Sequence, residues 1–171
     1  MLEQFARGDL GAFEALFHHY QAEVYRWIVV IVRDPSIAED LTLETFWRIH
    51  RAHARFDPAR SFGAWARRIA TNVAIDHLDT LRREVPLHDG LAAPNAGDAA
   101  MQAETREHIQ RAFRQLPGQL QVIATLALIE EESYEAIATA LGIPIGTVKS
   151  RMFRAVRLLR EKLEGVDRRH E

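Results

Sequence analysis

Cysteine is absent from the 171 residues, which excludes disulfide bonds and thiolate metal ligands. Long apolar runs are absent too, because the longest, residues 27–32, is far too short to cross a bilayer. The first ten residues contain no apolar leader segment. We therefore expect a soluble cytoplasmic protein that does not insert into a membrane.

The sequence also lacks the strict alternation of apolar and polar residues that a half-buried strand requires. Apolar residues instead recur every three or four positions, and this helical pattern breaks at residues 34–35, 57–58 and 117–118, where proline stands. A hydrophobic content of 47% is enough to build a core. We predict an all-α fold.

The pattern divides the chain into two small helical domains. In the first, Asp9 is a candidate N-cap, Ser36 with Glu39 forms a capping-box signature that opens a second helix, and Ser61 can cap a third. Helical periodicity is lost in a segment rich in proline, glycine and acidic residues, and then resumes as about four helices. The predicted boundaries are a first domain at 1–83, a flexible linker at 84–103 and a second domain at 104–171.

Charge is unevenly distributed along the chain, although the net charge is only −2. Residues 144–163 contain six basic residues against the single acid Glu161, whereas residues 84–108 contain five acids against the single base Arg106. A strong local field can coexist with a nearly neutral whole. The basic segment is therefore a candidate surface for an anionic partner.

Residues 134–163 have the pattern of a helix-turn-helix. Ser133 can cap a short helix over Tyr134–Leu141, and Gly142 stands where the chain must turn sharply before a second helix begins near Pro144. At 100° per residue the predicted buried side of the second helix holds Val148, Met152, Ala155, Val156, Leu159 and Leu163. The predicted free side holds Lys149, Ser150, Phe153, Arg154, Arg157 and Arg160.

This pattern predicts binding to double-stranded DNA. A recognition helix contacts base edges through its first turns, and arginine, lysine and hydroxyl side chains suit bases and phosphates. The alternative is an amphipathic hairpin whose arginine face is merely solvated. We expect duplex contacts from Thr147, Lys149, Ser150, Arg151, Phe153, Arg154 and Arg157.

Three segments carry a resemblance to a known family. Residues 134–155, YEAIATALGIPIGTVKSRMFRA, resemble region 4 of the extracytoplasmic-function (ECF) sigma factors of bacterial RNA polymerase. Residues 38–49, AEDLTLETFWRI, and residues 62–78, FGAWARRIATNVAIDHL, resemble region 2 of the same family. The resemblance implies a non-enzymatic promoter-recognition subunit in which the first domain opens the minus-ten element and the second holds the minus-thirty-five element as duplex.

The resemblance implies two further surfaces on the first domain. Its second helix is expected to dock on core polymerase, whose clamp and flap are the implied partner regions, through Asp40, Glu44, Phe46 and Trp47. Single-stranded minus-ten DNA needs an amide, an aromatic surface and positive charge around an extruded base. These are assigned to Phe56, Arg60, Ser61, Arg67, Arg68 and Asn72. Without the resemblance, Asn72 could equally bond within its helix and Phe56 could equally belong to the core.

The chain departs from the family pattern at two places. Thr42-Leu43 stands where Val-Gln is common, which affects one polar contact to the clamp, and Thr71 replaces a frequent basic residue before the pocket asparagine. The resemblance also implies control by an anti-sigma factor wedged between the domains.

Two other functions remain as alternatives at this point. A dimeric operator-binding regulator would use the helix-turn-helix alone, and it would leave the first domain unexplained. A metal-dependent hydrolase could draw on Glu14, His18-His19, His50, His53 and Asp57, but none of these forms a complete ligand set. We expect no cofactor, no metal and no catalytic activity.

Overall fold

The computed structural model describes residues 1–84 and 98–167, and these residues form eight α-helices and one short 3-10 turn, with no strand among them. This confirms the predicted all-α fold. The helices are α1 (Leu2–Ala6), α2 (Leu10–Val32), α3 (Pro35–Arg51), α4 (Phe62–Glu84), α5 (Asp98–Arg114), α6 (Gly118–Leu128), α7 (Tyr134–Leu141) and α8 (Ile145–Asp167), with the 3-10 turn at His53–Arg55. No helix in the described part of the chain is long and apolar enough to span a membrane.

The first domain packs α2, α3 and α4 against one another. Asp9 caps α2 by accepting a hydrogen bond from the Ala12 N–H at 2.7 Å, as predicted. The predicted capping box at Ser36 is wrong, because Asp34 is the N-cap of α3 and accepts from the N–H groups of Ser36 and Ile37. Pro35 then occupies the first helical position, where its missing N–H costs nothing.

An aromatic cluster fills one end of this domain. Phe62 lies 2% exposed, with its ring centroid 5.5 Å from Phe5, 5.0 Å from Tyr20 and 5.5 Å from Phe56. Phe5 comes from α1, a five-residue helix that the sequence pattern did not reveal. The cluster ties the chain start to the segment that precedes α4.

The second domain contains α5 to α8, the four helices predicted after the linker. The helix α5 begins at Asp98, six residues before the predicted domain boundary, so residues 98–103 are helix rather than linker. Glu84, the first residue of the predicted linker, ends α4, and residues 85–97 lie outside the described residues. The helix α6 is apolar nearly all round, as a central helix should be.

The two domains share a core. Ile31 of α2 and Ala74 and Leu78 of α4 are buried in one cluster with side chains of the second domain, namely Val122, Ile123, Leu126, Ile137, Leu141, Val148 and Met152. The sequence pattern predicted two domains but not this packing of one on the other.

Candidate nucleic-acid interface

The helix-turn-helix forms as predicted. Ser133 caps α7, since its Oγ accepts from the Ala136 N–H at 3.1 Å. Gly142 ends α7 in the left-handed conformation with φ of 63°, which glycine adopts without strain. The turn then leads into α8, whose inner side is anchored by the buried residues Val148, Met152 and Ala155.

The outer side of α8 is exposed to solvent. Lys149, Ser150 and Arg154 are exposed, and Phe153 is 70% exposed, which is unusual for a phenylalanine. Ser150 Oγ donates to the Thr147 carbonyl at 3.1 Å, and Arg157 pairs with Glu161 at 3.6 Å. Both contacts are local to α8, so neither joins its outer side to another helix.

Arg151 differs from the other predicted duplex-binding residues. It is half-buried and lies on the side of α8 that faces the first domain. Together with Leu141 and Ile143 it lines a cavity of about 160 Å³ whose opposite wall is formed by Arg68 and Asn72 of α4. The predicted readers of the two promoter elements thus meet at one cavity.

The residues of α4 that were predicted to contact single-stranded DNA lie on two different sides of the helix. Arg68 and Asn72 are exposed and share one side, as their spacing of four requires. Arg67 turns the other way, where its Nη2 donates to Glu23 at 2.6 Å and its guanidinium lies 5.2 Å from the Trp27 ring. Arg67 therefore joins α4 to α2 in this arrangement.

Thr71, one of the departures from the family pattern, is buried at the same helix crossing. Its hydroxyl accepts from Trp27 Nε1–H at 3.0 Å and donates to the Arg67 carbonyl at 2.9 Å. Both hydrogen-bonding roles of this hydroxyl are thus used inside the domain. In this arrangement the residue is a packing element that fixes the indole of Trp27, and it does not face solvent.

The segment before α4 holds the other predicted single-strand residues. Arg60 is exposed and lies 3.5 Å from Asp57, and Ser61 caps α4 by accepting from the Ala64 N–H at 3.3 Å. Phe56 is only 4% exposed, because its ring packs in the aromatic cluster. This corrects the prediction of a direct DNA contact from Phe56 and confirms the alternative, a core residue that supports the segment.

Two of the four residues predicted to contact polymerase lie at the surface of α3. Asp40 is exposed, and Trp47 is 52% exposed with the Arg51 guanidinium 4.6 Å from its ring. Leu43, one of the departures from the family pattern, is 62% exposed between them. The spacing 40, 43, 47 places these three on one side of a helix, a signal in the sequence that could have added Leu43 to the candidate residues.

Two other α3 candidates are held within the domain. Phe46 is 2% exposed, with its ring 4.8 Å from Phe17, so the predicted direct contact with polymerase is corrected to a core role. Glu44 pairs with Arg48, which also bonds Asp76 of α4, each at 2.7 Å. The hydrogen bond that Arg48 donates to Asp76, and then the one that it donates to Glu44, raises the pKa of Arg48 above its usual value. Arg48 thereby fixes α3 against α4.

The histidines that the structure describes are not grouped as a set of metal ligands. His18 lies 3.8 Å from Glu14 on the exposed side of α2, while His50 packs edge-on against Phe13. Within residues 1–84 and 98–167, no three histidine or carboxylate side chains are grouped so as to hold a metal ion.

The fold and the site define a two-domain helical DNA-binding protein that combines a helix-turn-helix with a second exposed polar face on α4. The chain belongs to the sigma-70 family of RNA polymerase sigma factors, in its ECF branch. Residues 16–84 match the Sigma-70 region 2 family, and residues 106–159 match the Sigma-70 region 4 family. The protein is therefore an ECF sigma factor, whose two regions bind core RNA polymerase and promoter DNA.

Several sigma factors are similar over nearly the whole chain. RNA polymerase sigma-H factor of Pseudomonas aeruginosa is 36% identical over 170 residues, which cover 91% of this chain and 88% of that protein. SigW of Bacillus subtilis is 31% identical, with coverage of 95% and 94%. The sigma-E factor of Escherichia coli is 31% identical, with coverage of 99% and 95%. This membership favours the sigma-factor interpretation over the dimeric regulator and the hydrolase.

Two solved structures share the fold. CnrH, solved in complex with the cytosolic domain of CnrY, superposes with a TM-score of 0.52 at 24% identity and covers 96% of this chain and 95% of its own. The sigma factor RpoE of Bartonella quintana, solved with the anti-sigma factor NepR, gives a TM-score of 0.51 at 22% identity and covers 91% and 98%.

Proposed function

We propose that the chain acts as a non-catalytic initiation subunit with its promoter-reading work divided between two helices. The helix α8 holds the minus-thirty-five element as duplex through its exposed side, with Arg154 as the central base-reading residue. The helix α4 reads single-stranded minus-ten DNA through Arg68 and Asn72. The observation that carries the proposal is the pair of separate exposed polar faces, one on each domain.

The chemistry of each face suits its proposed task. Arg154 is an exposed guanidinium on the helix that enters the groove, and arginine can bond guanine through two parallel hydrogen bonds. Asn72 offers an amide donor and an amide acceptor, which match the edge of an extruded base, and Arg68 one turn earlier can neutralise a neighbouring phosphate. Arg60 and Ser61 precede α4 and extend this face.

The proposed polymerase contact is the exposed side of α3. Asp40, Leu43 and Trp47 combine an acid, an aliphatic and an aromatic side chain on one side of a rigid helix, and aromatic residues of this kind often anchor protein interfaces. Glu44 contributes through the Arg48 network that fixes α3.

Truncating Asn72 and Arg154 separately tests whether the two helices read different promoter elements. We expect Asn72→Ala to weaken promoter opening by about 5- to 150-fold, equivalent to about 1 to 3 kcal/mol, while holoenzyme binding to minus-thirty-five duplex stays unchanged. We expect Arg154→Ala to weaken duplex binding by a similar factor. Opening is measured by permanganate reactivity of unpaired thymines, and duplex binding by fluorescence anisotropy.

Arg160→Ala is the matched control, because Arg160 is an exposed arginine on α8 that lies outside the proposed set of DNA contacts. If it weakens binding as much as Arg154→Ala, only total charge matters and Arg154 reads no base. Equal losses of duplex binding in Asn72→Ala and Arg154→Ala would overturn the division between the helices.

We also propose that an anti-sigma factor controls the protein by binding between its domains. A groove of about 410 Å³ runs between α2, α6 and α7, with the apolar side chains of Trp27, Val30 and Leu126 at its base and Glu130 and Glu132 at its rim. Arg26 and Arg67 line the groove as well, so it carries charges of both signs, and its apolar part suits the apolar face of an amphipathic helix. CnrH and the Bartonella RpoE were themselves solved with CnrY and with NepR, respectively.

A substitution in the groove tests this control. Ala140 lines the groove, so Ala140→Arg should prevent an inhibitor helix from seating while leaving core polymerase binding intact. We expect affinity purification from the native host to recover a non-polymerase protein with the wild type and to lose it with Ala140→Arg. Ala22→Arg, on the exposed side of α2, is the control. Recovery of polymerase alone by the wild type under both resting and inducing conditions would count against the proposal.

A further inference from the structure

Two arginines from different helices line the small cavity between α4 and α8. Arg68 of α4 and Arg151 of α8 both contribute to this cavity of about 160 Å³, and no aspartate or glutamate lines it. Within residues 1–84 and 98–167, neither guanidinium forms a hydrogen bond or an ion pair. The cavity is therefore a place of concentrated and uncompensated positive charge.

Other arginines of the same two helices have acidic partners. On α4, Arg67 pairs with Glu23 at 2.6 Å, and on α8, Arg157 pairs with Glu161 at 3.6 Å. The two arginines of the cavity differ because they share a small space with each other and with apolar side chains. Like charges repel more strongly where the surroundings are less polar than water. An anion between the two guanidinium groups would replace this repulsion by attraction.

Two side-chain amides add hydrogen-bond donors to the same cavity. Asn72 of α4 and Gln119 of α6 line it, and within the described part of the chain neither amide has a hydrogen-bond partner. The Thr71 hydroxyl lines it too, but this group already accepts from Trp27 and donates to the Arg67 carbonyl. Two guanidinium groups and two amides can thus direct N–H groups at one ligand.

The size and the donors of the cavity suit a phosphate group. A volume of about 160 Å³ equals the share of about five water molecules in the liquid, at about 30 Å³ each, and a phosphate group has a similar number of heavy atoms. The planar guanidinium fork matches two phosphate oxygens at once. Because Arg68, Asn72 and Gln119 are exposed, the cavity reaches solvent beside them, and a substituent on the phosphate can project there.

We propose that this cavity binds a small phosphate dianion, as inorganic phosphate or as the terminal group of a phosphate monoester, which bridges α4 and α8. The site is complete only where these two helices meet, so the bound anion stabilises their contact by mass action. One consequence rests on the proposed function: the anion occupies Arg68 and Asn72, the side chains proposed to read minus-ten DNA.

Calorimetric titration of the whole chain with three phosphates tests the site. The experiment is run at constant ionic strength and at about pH 8, above the second pKa of phosphate monoesters at about 6. We expect inorganic phosphate and methyl phosphate each to bind at one saturable site and to raise the melting temperature. Dimethyl phosphate carries a single charge and resembles the DNA backbone. It should bind about tenfold more weakly or worse, because it loses one charge and one acceptor oxygen.

Substitution of the two arginines tests whether they hold the same ion. We expect Arg68→Ala and Arg151→Ala each to lower the affinity for inorganic phosphate by about tenfold or more. The double variant should lose less than the product of the two single losses, because neither arginine holds the ion well alone. Arg160→Ala is the control, since it removes an exposed arginine of α8 that does not line the cavity. Circular dichroism checks that all variants are folded.

Three results would overturn the proposal. The first is the absence of saturable phosphate binding by the wild type. The second is an equal loss of affinity in Arg160→Ala and Arg151→Ala, which would mean that only total charge attracts the anion. The third is binding of dimethyl phosphate as tight as that of inorganic phosphate, which would assign the cavity to a nucleic-acid backbone. The titration contains neither DNA nor polymerase, so its failure would leave the proposed sigma function standing.

Discussion

Trp47→Ala is expected to weaken binding to core polymerase by about 30-fold, the equivalent of about 2 kcal/mol for a central aromatic anchor. The indole is 52% exposed on α3 and is held in place by the Arg51 guanidinium at 4.6 Å, so it is a rigid apolar surface already prepared for a partner. The substitution removes surface area without opening the core, and the fold should be retained. The affinity of fluorescently labelled protein for core polymerase measures the effect.

Leu10→Ala is the matched control for Trp47→Ala. Leu10 is 67% exposed at the start of α2, so its truncation also removes exposed apolar surface, but from α2 rather than from α3. We expect its affinity for polymerase to match the wild type. If Trp47→Ala and the wild type bound core polymerase with equal affinity, the exposed side of α3 would not be the principal docking surface.

Phe62→Ala is expected to lower the free energy of unfolding of the first domain by about 3 to 5 kcal/mol. The ring is 2% exposed and packs among Phe5, Tyr20 and Phe56, and the residue begins α4, the helix with the proposed minus-ten face. Its loss leaves a cavity that the surrounding rings cannot fill without moving the segment before α4. This loss is a large fraction of the stability of a typical domain.

Chemical denaturation followed by circular dichroism measures how far Phe62→Ala lowers the free energy of unfolding. Phe153→Ala is the control, since the same ring at that position is 70% exposed and its removal should change stability little. Similar unfolding midpoints for the two variants would show that the aromatic cluster does not stabilise the domain.

Local signals in the sequence predicted much of this fold. Asp9, Ser61 and Ser133 were recognised as N-caps because each can satisfy a free N–H two or three residues later, and all three do so. The spacing of apolar residues in α8 separated Val148 and Met152 from Lys149 and Arg154 correctly, because helical periodicity fixes which side is buried.

Contacts between distant segments were not predictable in the same way. Phe46 and Phe56 were assigned to binding surfaces, yet both rings are buried by residues far away in sequence. Gly118 lies against Ile75 and donates its N–H to Asp79, and no local sequence pattern connects these residues to it. The hydrogen bond from Trp27 Nε1–H to the Thr71 hydroxyl likewise joins two helices that no local pattern connects. Side-chain type suggested what these residues could do, but packing decides where they do it.

Run-off transcription tests the central claim most directly. Purified protein is mixed with sigma-free core polymerase and a library of promoter fragments, and the transcript starts are sequenced. We expect transcripts from fragments that share two sequence elements at a fixed spacing, with output lost in an Asn72→Ala, Arg154→Ala double variant. Absence of promoter-dependent transcripts from the wild type, together with absence of binding to core polymerase, would contradict the account.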